Sequence, residues 1–255
     1  KLSVPNNLLT ELNVSNNPEL IKLIVPNNLL TELDVSNNLK LTELDVWFNE
    51  ISELDVTNNP ALMDLGVHQN QLTELDVSKN PALNVLSACG NQLTELDLSN
   101  SQDLSAIDVS DNRELTELDI SNIKNLEELN VSYNQLTELD VSNHPELSIL
   151  WAQSNQLTEL DISNNRHLCY LDVSINQLIE LDISNTKGLA ILNVSYNQLT
   201  ELDVSNHLYL YFLNVDNNQL AELRFSNEVD LENSSGIKIQ TDLKFDKAKG
   251  YYTSE

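Results

Sequence analysis

The chain has 255 residues, enough for one large domain or two small ones, and carries 40 acidic against 13 basic side chains for a net charge of -27. Phosphate recognition needs Lys and Arg gathered on one face, so this charge argues against nucleic acid and against an anionic membrane surface. It suits solubility, cation binding or a basic protein partner reached by electrostatic steering.

From the first residues the chain repeats itself. Leu2-Ser3-Val4 already falls inside a repeat, so the sequence is expected to be a mature protein or part of a longer one. From Leu9 to Asn227 the string Leu-Thr-Glu-Leu-Asp-Val-Ser-Asn recurs with small changes. Between its copies lies a second string, Leu-x-x-Leu-x-Val-x-x-Asn, starting at Leu20, Leu41, Leu62, Leu83, Leu104, Leu126, Leu147, Leu168, Leu189 and Leu210. Each step is 21 residues except Leu104 to Leu126, which is 22, the extra residue falling in Arg113-Glu114.

This periodicity predicts one turn of a stacked coil per unit. In an extended segment side chains alternate between faces, so residues such as Leu168, Leu171 and Val173 are predicted to point inward. No single turn can bury them alone, and the turns must stack. Each half-unit is too short for a strand, two turns and a full helix, so one parallel strand per turn is expected, with short strands or irregular chain behind. The Asn closing the second string (Asn28, Asn49, Asn70, Asn91, Asn112, Asn134, Asn155, Asn176, Asn197 and Asn218) is expected to form an inward ladder that satisfies backbone groups where the chain leaves the strand. With only 5 glycines, Asn pairs such as Asn37-Asn38 and Asn58-Asn59 are expected to supply the left-handed turn residues.

The pattern L-x-x-L-x-L-x-x-N resembles the leucine-rich repeat over residues 1 to about 228. The short unit and its Leu-Asp-Val-Ser wording look most like bacterial surface repeats of the internalin type. The resemblance implies a leucine-rich-repeat solenoid, of the α/β horseshoe class but here mostly β with little helix. It also implies adhesion or host-protein recognition, at the bacterial cell surface or after secretion, with no enzymatic activity. A calcium-dependent structural scaffold using a Glu/Asp ladder, or a targeting arm for an enzyme in a longer chain, is an alternative.

The two half-units obey different rules. The Leu-Thr-Glu half is nearly constant, whereas the other keeps its leucines and Asn but changes its exposed residues. Both tryptophans and most of the repeat-region aromatics lie on that variable half. Exposed aromatics are the usual anchors of binding surfaces, which makes Trp47, Phe48, His68, Tyr133, Trp151, Tyr170, Tyr196, Tyr211 and Phe212 the expected contacts for a protein or glycan ligand. In this fold the varying strand usually lines the concave face.

The constant half carries outward carboxylate pairs, among them Glu74 and Asp76, Glu95 and Asp97, and Glu138 and Asp140. Columns of like charge about 4.8 Å apart repel, and Ca2+ would relieve them. No calcium-loop signature is present, so the Asp is expected to accept local hydrogen bonds while the Glu is solvated. The adjoining Thr column (Thr73, Thr94, Thr137, Thr158) is too heavily flanked by carboxylates to suggest ice binding.

No catalytic motif stands out. His68, His144, His167 and His207 are isolated in sequence, Cys89 and Cys169 lie in different repeats, and no metal-binding pair, nucleophile elbow or phosphate loop occurs. No catalytic residue and no cofactor are expected, apart from the Ca2+ option above. No segment has the run of apolar residues that membrane insertion would need. After Phe225 the repeat stops. Residues 229 to 255 hold two alternating stretches, Ile237 to Gln240 and Leu243 to Phe245, read as strands of a C-terminal cap or the start of a further domain.

Overall fold

Leucine and valine at fixed positions leave each turn with one apolar edge. The computed structural model, which describes residues 1–223, 238–246 and 251–253, shows how that edge is buried. The chain forms two compact units, residues 1–135 and 136–255.

In the first unit, seven strands pair in parallel in chain order: β1 (Leu2–Ser3), β2 (Lys22–Ile24), β3 (Glu43–Asp45), β4 (Asp64–Gly66), β5 (Val85–Ser87), β6 (Ala106–Asp108) and β7 (Glu128–Asn130). Equivalent repeat positions pair across each step, as in Lys22 with Glu43 and Glu43 with Asp64. The ladder runs past the strands, with Val46 N–H donating to Gly66 O at 2.8 Å and Phe48 N–H to His68 O at 3.0 Å.

The second unit repeats the arrangement with β8 (Ile149–Trp151), β9 (Tyr170–Asp172), β10 (Ile191–Asn193) and β11 (Phe212–Asn214). Here β12 (Glu222–Leu223) precedes β13 (Lys238–Gln240), which adds one more parallel strand beside β11. Two further strands, β14 (Lys244–Asp246) and β15 (Tyr251–Thr253), join β12 in a small antiparallel sheet in the order β12-β15-β14. The sequence boundary at residue 228 lies outside the described residues, as does Ile237.

The core of a turn comes from both halves. In the turn starting at Leu41, the side chains of Leu41, Leu44, Val46, Ile51, Leu54 and Val56 are all buried. Among the described residues the constant half forms no strand until β12 in the last turn. Its chain makes consecutive tight turns, Asn38 N–H to Val35 O at 2.9 Å and Leu41 N–H to Asn38 O at 3.0 Å.

Two internal polar ladders close the backbone. The expected Asn ladder uses both ends of each amide. Asn91 Oδ1 accepts from Leu72 N–H at 3.0 Å, while Nδ2 donates to Val67 O at 3.1 Å and Ala88 O at 3.0 Å. The 22-residue turn alters one rung: Asn134 Oδ1 accepts from Asn112 N–H at 3.0 Å rather than from a leucine amide.

The second ladder lies in the constant half and is built from Asn38, Asn59, Asn80, Ser101, His144, Asn165, Thr186 and His207, all buried. Asn59 Nδ2 donates to Val35 O at 3.2 Å and Asn38 O at 3.0 Å, but the Oδ1 atoms of Asn38, Asn59, Asn80 and Asn165 have no partner. The two histidines of the constant half are therefore interior rungs.

The left-handed residues are not Asn37 and Asn58. They are the residues just before the main ladder Asn: Asn6, Asn27, Phe48, Gln69, Asp111, Tyr133, Ser154, Ile175, Tyr196 and Asn217, with φ between 51° and 57°, plus Gly90 at 62°. The chain must reverse there so that the next Asn side chain points inward, and the constraint holds whatever residue occupies the place.

Candidate binding surface

Outward-facing groups of the variable half fall on three strand positions, two residues apart. They are the first and third residues of each strand, and the residue two places after the third. In many turns the last two form a closed pair. Asp108 Oδ1 accepts from Ser110 N–H at 3.0 Å and Oγ–H at 2.6 Å, and Asp172 accepts from Ser174 in the same way at 3.0 and 2.6 Å. Asn130 with Ser132 and Asn193 with Ser195 do likewise. The pair is absent in six turns, which carry Ser3/Pro5, Ile24/Pro26, Asp45/Trp47, Gly66/His68, Ser87/Cys89 and Trp151/Gln153. Both tryptophans therefore stand where this pair is missing.

In the first unit, Trp47 stacks on His68 with ring centroids 5.2 Å apart and planes 9° from parallel. Phe48 meets Trp47 edge-on at 5.5 Å. His68 Nδ1 and Ser87 Oγ are hydrogen-bonded at 3.0 Å, and burial pushes the imidazole pKa down, against the pull of Asp108. Burial, with Asp108 close by, pushes the Cys89 thiol up to about 11, so it stays protonated and is a poor nucleophile. Burial raises the Asp45 and Asp64 carboxyls, with neighbouring carboxylates adding to the effect. Lys22 forms an ion pair with Glu43.

In the second unit the first strand position is apolar in four successive hydrogen-bonded strands: Ile149, Tyr170, Ile191 and Phe212 stand side by side in register. Trp151 packs against Tyr170 with centroids 5.2 Å apart. Tyr211, next to Phe212, is 51% exposed, and Leu208 and Tyr209 in the turn before β11 are 56% and 72% exposed.

The nine expected contacts thus divide. Trp47, Phe48 and His68 form one cluster in the first unit. Trp151, Tyr170 and Phe212 share the second unit's strand face, with Tyr211 at its edge. Tyr133 and Tyr196 belong to the left-handed column beyond the strand ends, as does Phe48, and are 52% and 57% exposed. Ile149 and Ile191 complete the strand column, and they and the exposed Leu208 and Tyr209 were not among the expected contacts. The 21-residue step that aligns residues 149, 170, 191 and 212 is the signal that points to the column.

On the constant half every ladder Asp has a local partner. Asp76 and Asp97 Oδ1 each accept from the Ser amide two residues on at 2.8 Å, and Asp140 accepts from Ser142 N–H at 2.9 Å and Oγ–H at 2.6 Å. The serine hydrogen bonds hold these carboxyls below the usual range. Glu74, Glu95 and Glu138 are exposed. Among the described residues no three His, Cys, Asp or Glu side chains converge as a metal ion would require.

The Leucine Rich Repeat family model matches residues 125–155. The functional domain of InlJ from Listeria monocytogenes superposes with a TM-score of 0.89 at 37% identity, over 94% of this chain and 52% of that one. The chain is an internalin-like leucine-rich-repeat protein. YopM from Yersinia enterocolitica is 32% identical with a TM-score of 0.76, over 93% of this chain and 54% of that one. This repeat protein therefore spans about half the length of the InlJ functional domain and of the YopM chain. InlF, an internalin of Listeria monocytogenes, shares the fold at 21% identity, with a TM-score of 0.68 over 95% of this chain and 86% of that one. No curated protein matches the chain in sequence. InlJ is described as including a cysteine ladder, whereas this internalin-like chain has two cysteines, both free. Its fold is the one typical of protein-binding leucine-rich-repeat modules. Among the described residues no helix is long and apolar enough to cross a membrane.

Proposed function

We propose that the chain is a non-enzymatic module for adhesion or partner recognition, secreted or displayed on a bacterial surface, that grips a protein ligand with the apolar column of its second unit. The observation that carries the reading is the unbroken run Ile149–Tyr170–Ile191–Phe212 with Trp151 packed on it. Strand positions open to water favour polar groups; in the first unit the same position holds Lys22, Glu43, Asp64 and Glu128, with only Val85 and the small Ala106 apolar between β2 and β7. Aromatic anchors framed by polar residues match the make-up of interface hot spots. The acidic charge adds electrostatic steering of a basic partner.

The test begins with capture of cell-surface proteins on the immobilised chain, followed by purification of the captured partner. Titration then compares the native chain with the Trp151→Ala/Tyr170→Ala/Phe212→Ala variant at matched thermal stability. Loss of at least about 30-fold in affinity, equivalent to roughly 2 kcal/mol, is expected for a hot-spot cluster. A partner held equally well by the folded variant refutes the column as the site.

A further inference from the structure

Three departures from the repeat converge at one place in the first unit. The 22-residue turn carries its extra residue at Arg113-Glu114. The left-handed column holds its one described glycine, Gly90, one turn earlier. A shallow depression of about 380 Å³ opens beside them, lined by Gln69, Gly90, Gln92, Asp111, Arg113 and Glu114 together with two ladder asparagines. The Gln69 carboxamide lies over the bare Cα of Gly90, where any Cβ would sit 2.0 Å from its Nε2. The inserted segment is held in place: Arg113 Nε donates to Asp111 Oδ1 at 2.9 Å, and Gln135 Nε2 donates to Arg113 O.

From this geometry we infer that the depression is a binding site for a neutral saccharide, separate from the apolar column. Its rim offers planar donors and acceptors in mixed array: two glutamine amides, two carboxylates and a guanidinium. Such a set matches neighbouring sugar hydroxyls, each of which both donates and accepts. Charge narrows the ligand class. An anionic sugar meets Asp111 and Glu114 as well as the chain's net charge of -27, and a cationic group meets Arg113. Exposed aromatic faces needed for ring stacking stand in the same backbone column on either side, Phe48 one turn before Gln69 and Tyr133 one turn after Asp111. The shallow, open form also fits a ligand that keeps much of its hydration.

A printed panel of neutral, sialylated and sulfated oligosaccharides of defined structure tests the site, followed by calorimetric titration of the best neutral trisaccharide. Selective retention of neutral members is expected. Arg113→Ala/Glu114→Ala should weaken the trisaccharide at least tenfold, and Gly90→Asn, whose side chain tolerates the left-handed backbone but displaces the Gln69 amide, should do the same. Trp151→Ala/Tyr170→Ala should leave it unchanged. Thermal melts confirm that each variant is folded. No binding to any neutral member, preference for acidic members, or equal binding by the depression variants each overturn the inference.

Discussion

Replacing Asn91 by Ala isolates one rung of the main ladder. Its Nδ2 donates to Val67 O and Ala88 O, but those carbonyls keep second donors, Asn70 Nδ2 at 3.0 Å and Asn112 Nδ2 at 3.1 Å. The carbonyl of Cys89, its third acceptor, still receives Gln69 N–H at 2.8 Å. What stays unpaired is Leu72 N–H, which loses Asn91 Oδ1 at 3.0 Å. An unsatisfied buried amide costs about 1–3 kcal/mol, and the small void adds roughly 1 kcal/mol, so a loss of about 2–4 kcal/mol is expected. The second ladder supplies the contrast. Asn59 Oδ1 has no partner, and the acceptors of Asn59 Nδ2 retain backbone donors, Asn38 N–H for Val35 O and Leu41 N–H for Asn38 O. Thr186 fills an equivalent rung and donates to Ile183 O at 2.7 Å. Asn59→Thr should therefore cost less than about 1 kcal/mol. Urea unfolding followed by circular dichroism gives both values, and hydrogen exchange at Leu72 reports the orphaned amide directly. Equal costs for the two substitutions, or an unchanged Leu72 exchange rate in Asn91→Ala, would refute the accounting.

Stability should also depend on pH. Burial lowers the pKa of His144 and His207, so the folded chain resists protons that the unfolded chain accepts. Their stability is fully present above about pH 6.5 and declines as pH falls below it; His144→Asn/His207→Asn should flatten that slope in chemical unfolding between pH 7 and 5. The Asp column has depressed pKa values, so a second loss should begin below about pH 4. Ile175, β-branched at φ 54°, should gain roughly 1 kcal/mol on replacement by Asn, and a lowered urea midpoint would show that its side chain outweighs the strain. Because the ladder Asp residues already hold serine or threonine donors, EDTA should leave the melting temperature unchanged, whereas a fall reversed by Ca2+ would establish a cation on the Glu/Asp ladder.

Much of the fold was legible because the signal is strictly periodic. Buried leucines and valines can only recur at fixed intervals, and the main Asn ladder repeats one residue type. The second ladder escaped notice because a half-satisfied rung accepts several residue types, so Asn80, Ser101, His144 and Thr186 share no letter. The left-handed column was expected in the constant half and lies in the variable half, for a related reason. Residue preference points to Asn and Gly, yet here the backbone path imposes the conformation on Phe48, Ile175 and Tyr196. The aromatics could be assigned to the variable half from the sequence alone, since the repeat register places them there. Their separation into strand face and turn column depends on the register of neighbouring strands, which only the stacked turns reveal.

The two halves divide the physical demands. In the constant half each ladder Asp from Asp34 to Asp203 is paired with the Ser or Thr two residues on, and so contributes a hydrated outer surface turn after turn. In the variable half the buried leucines, valine and Asn set the register, and the outward residues bear little of the folding energy. A solenoid whose stability is close to a sum over neighbouring turns tolerates change at those positions turn by turn. Breaking the Asp–Ser pair at Trp47 or Trp151 costs one local hydrogen-bond set and leaves the turns on either side intact. That independence allows one chain to carry an apolar column in its second unit and a polar depression in its first, each open to mutation without loss of the other.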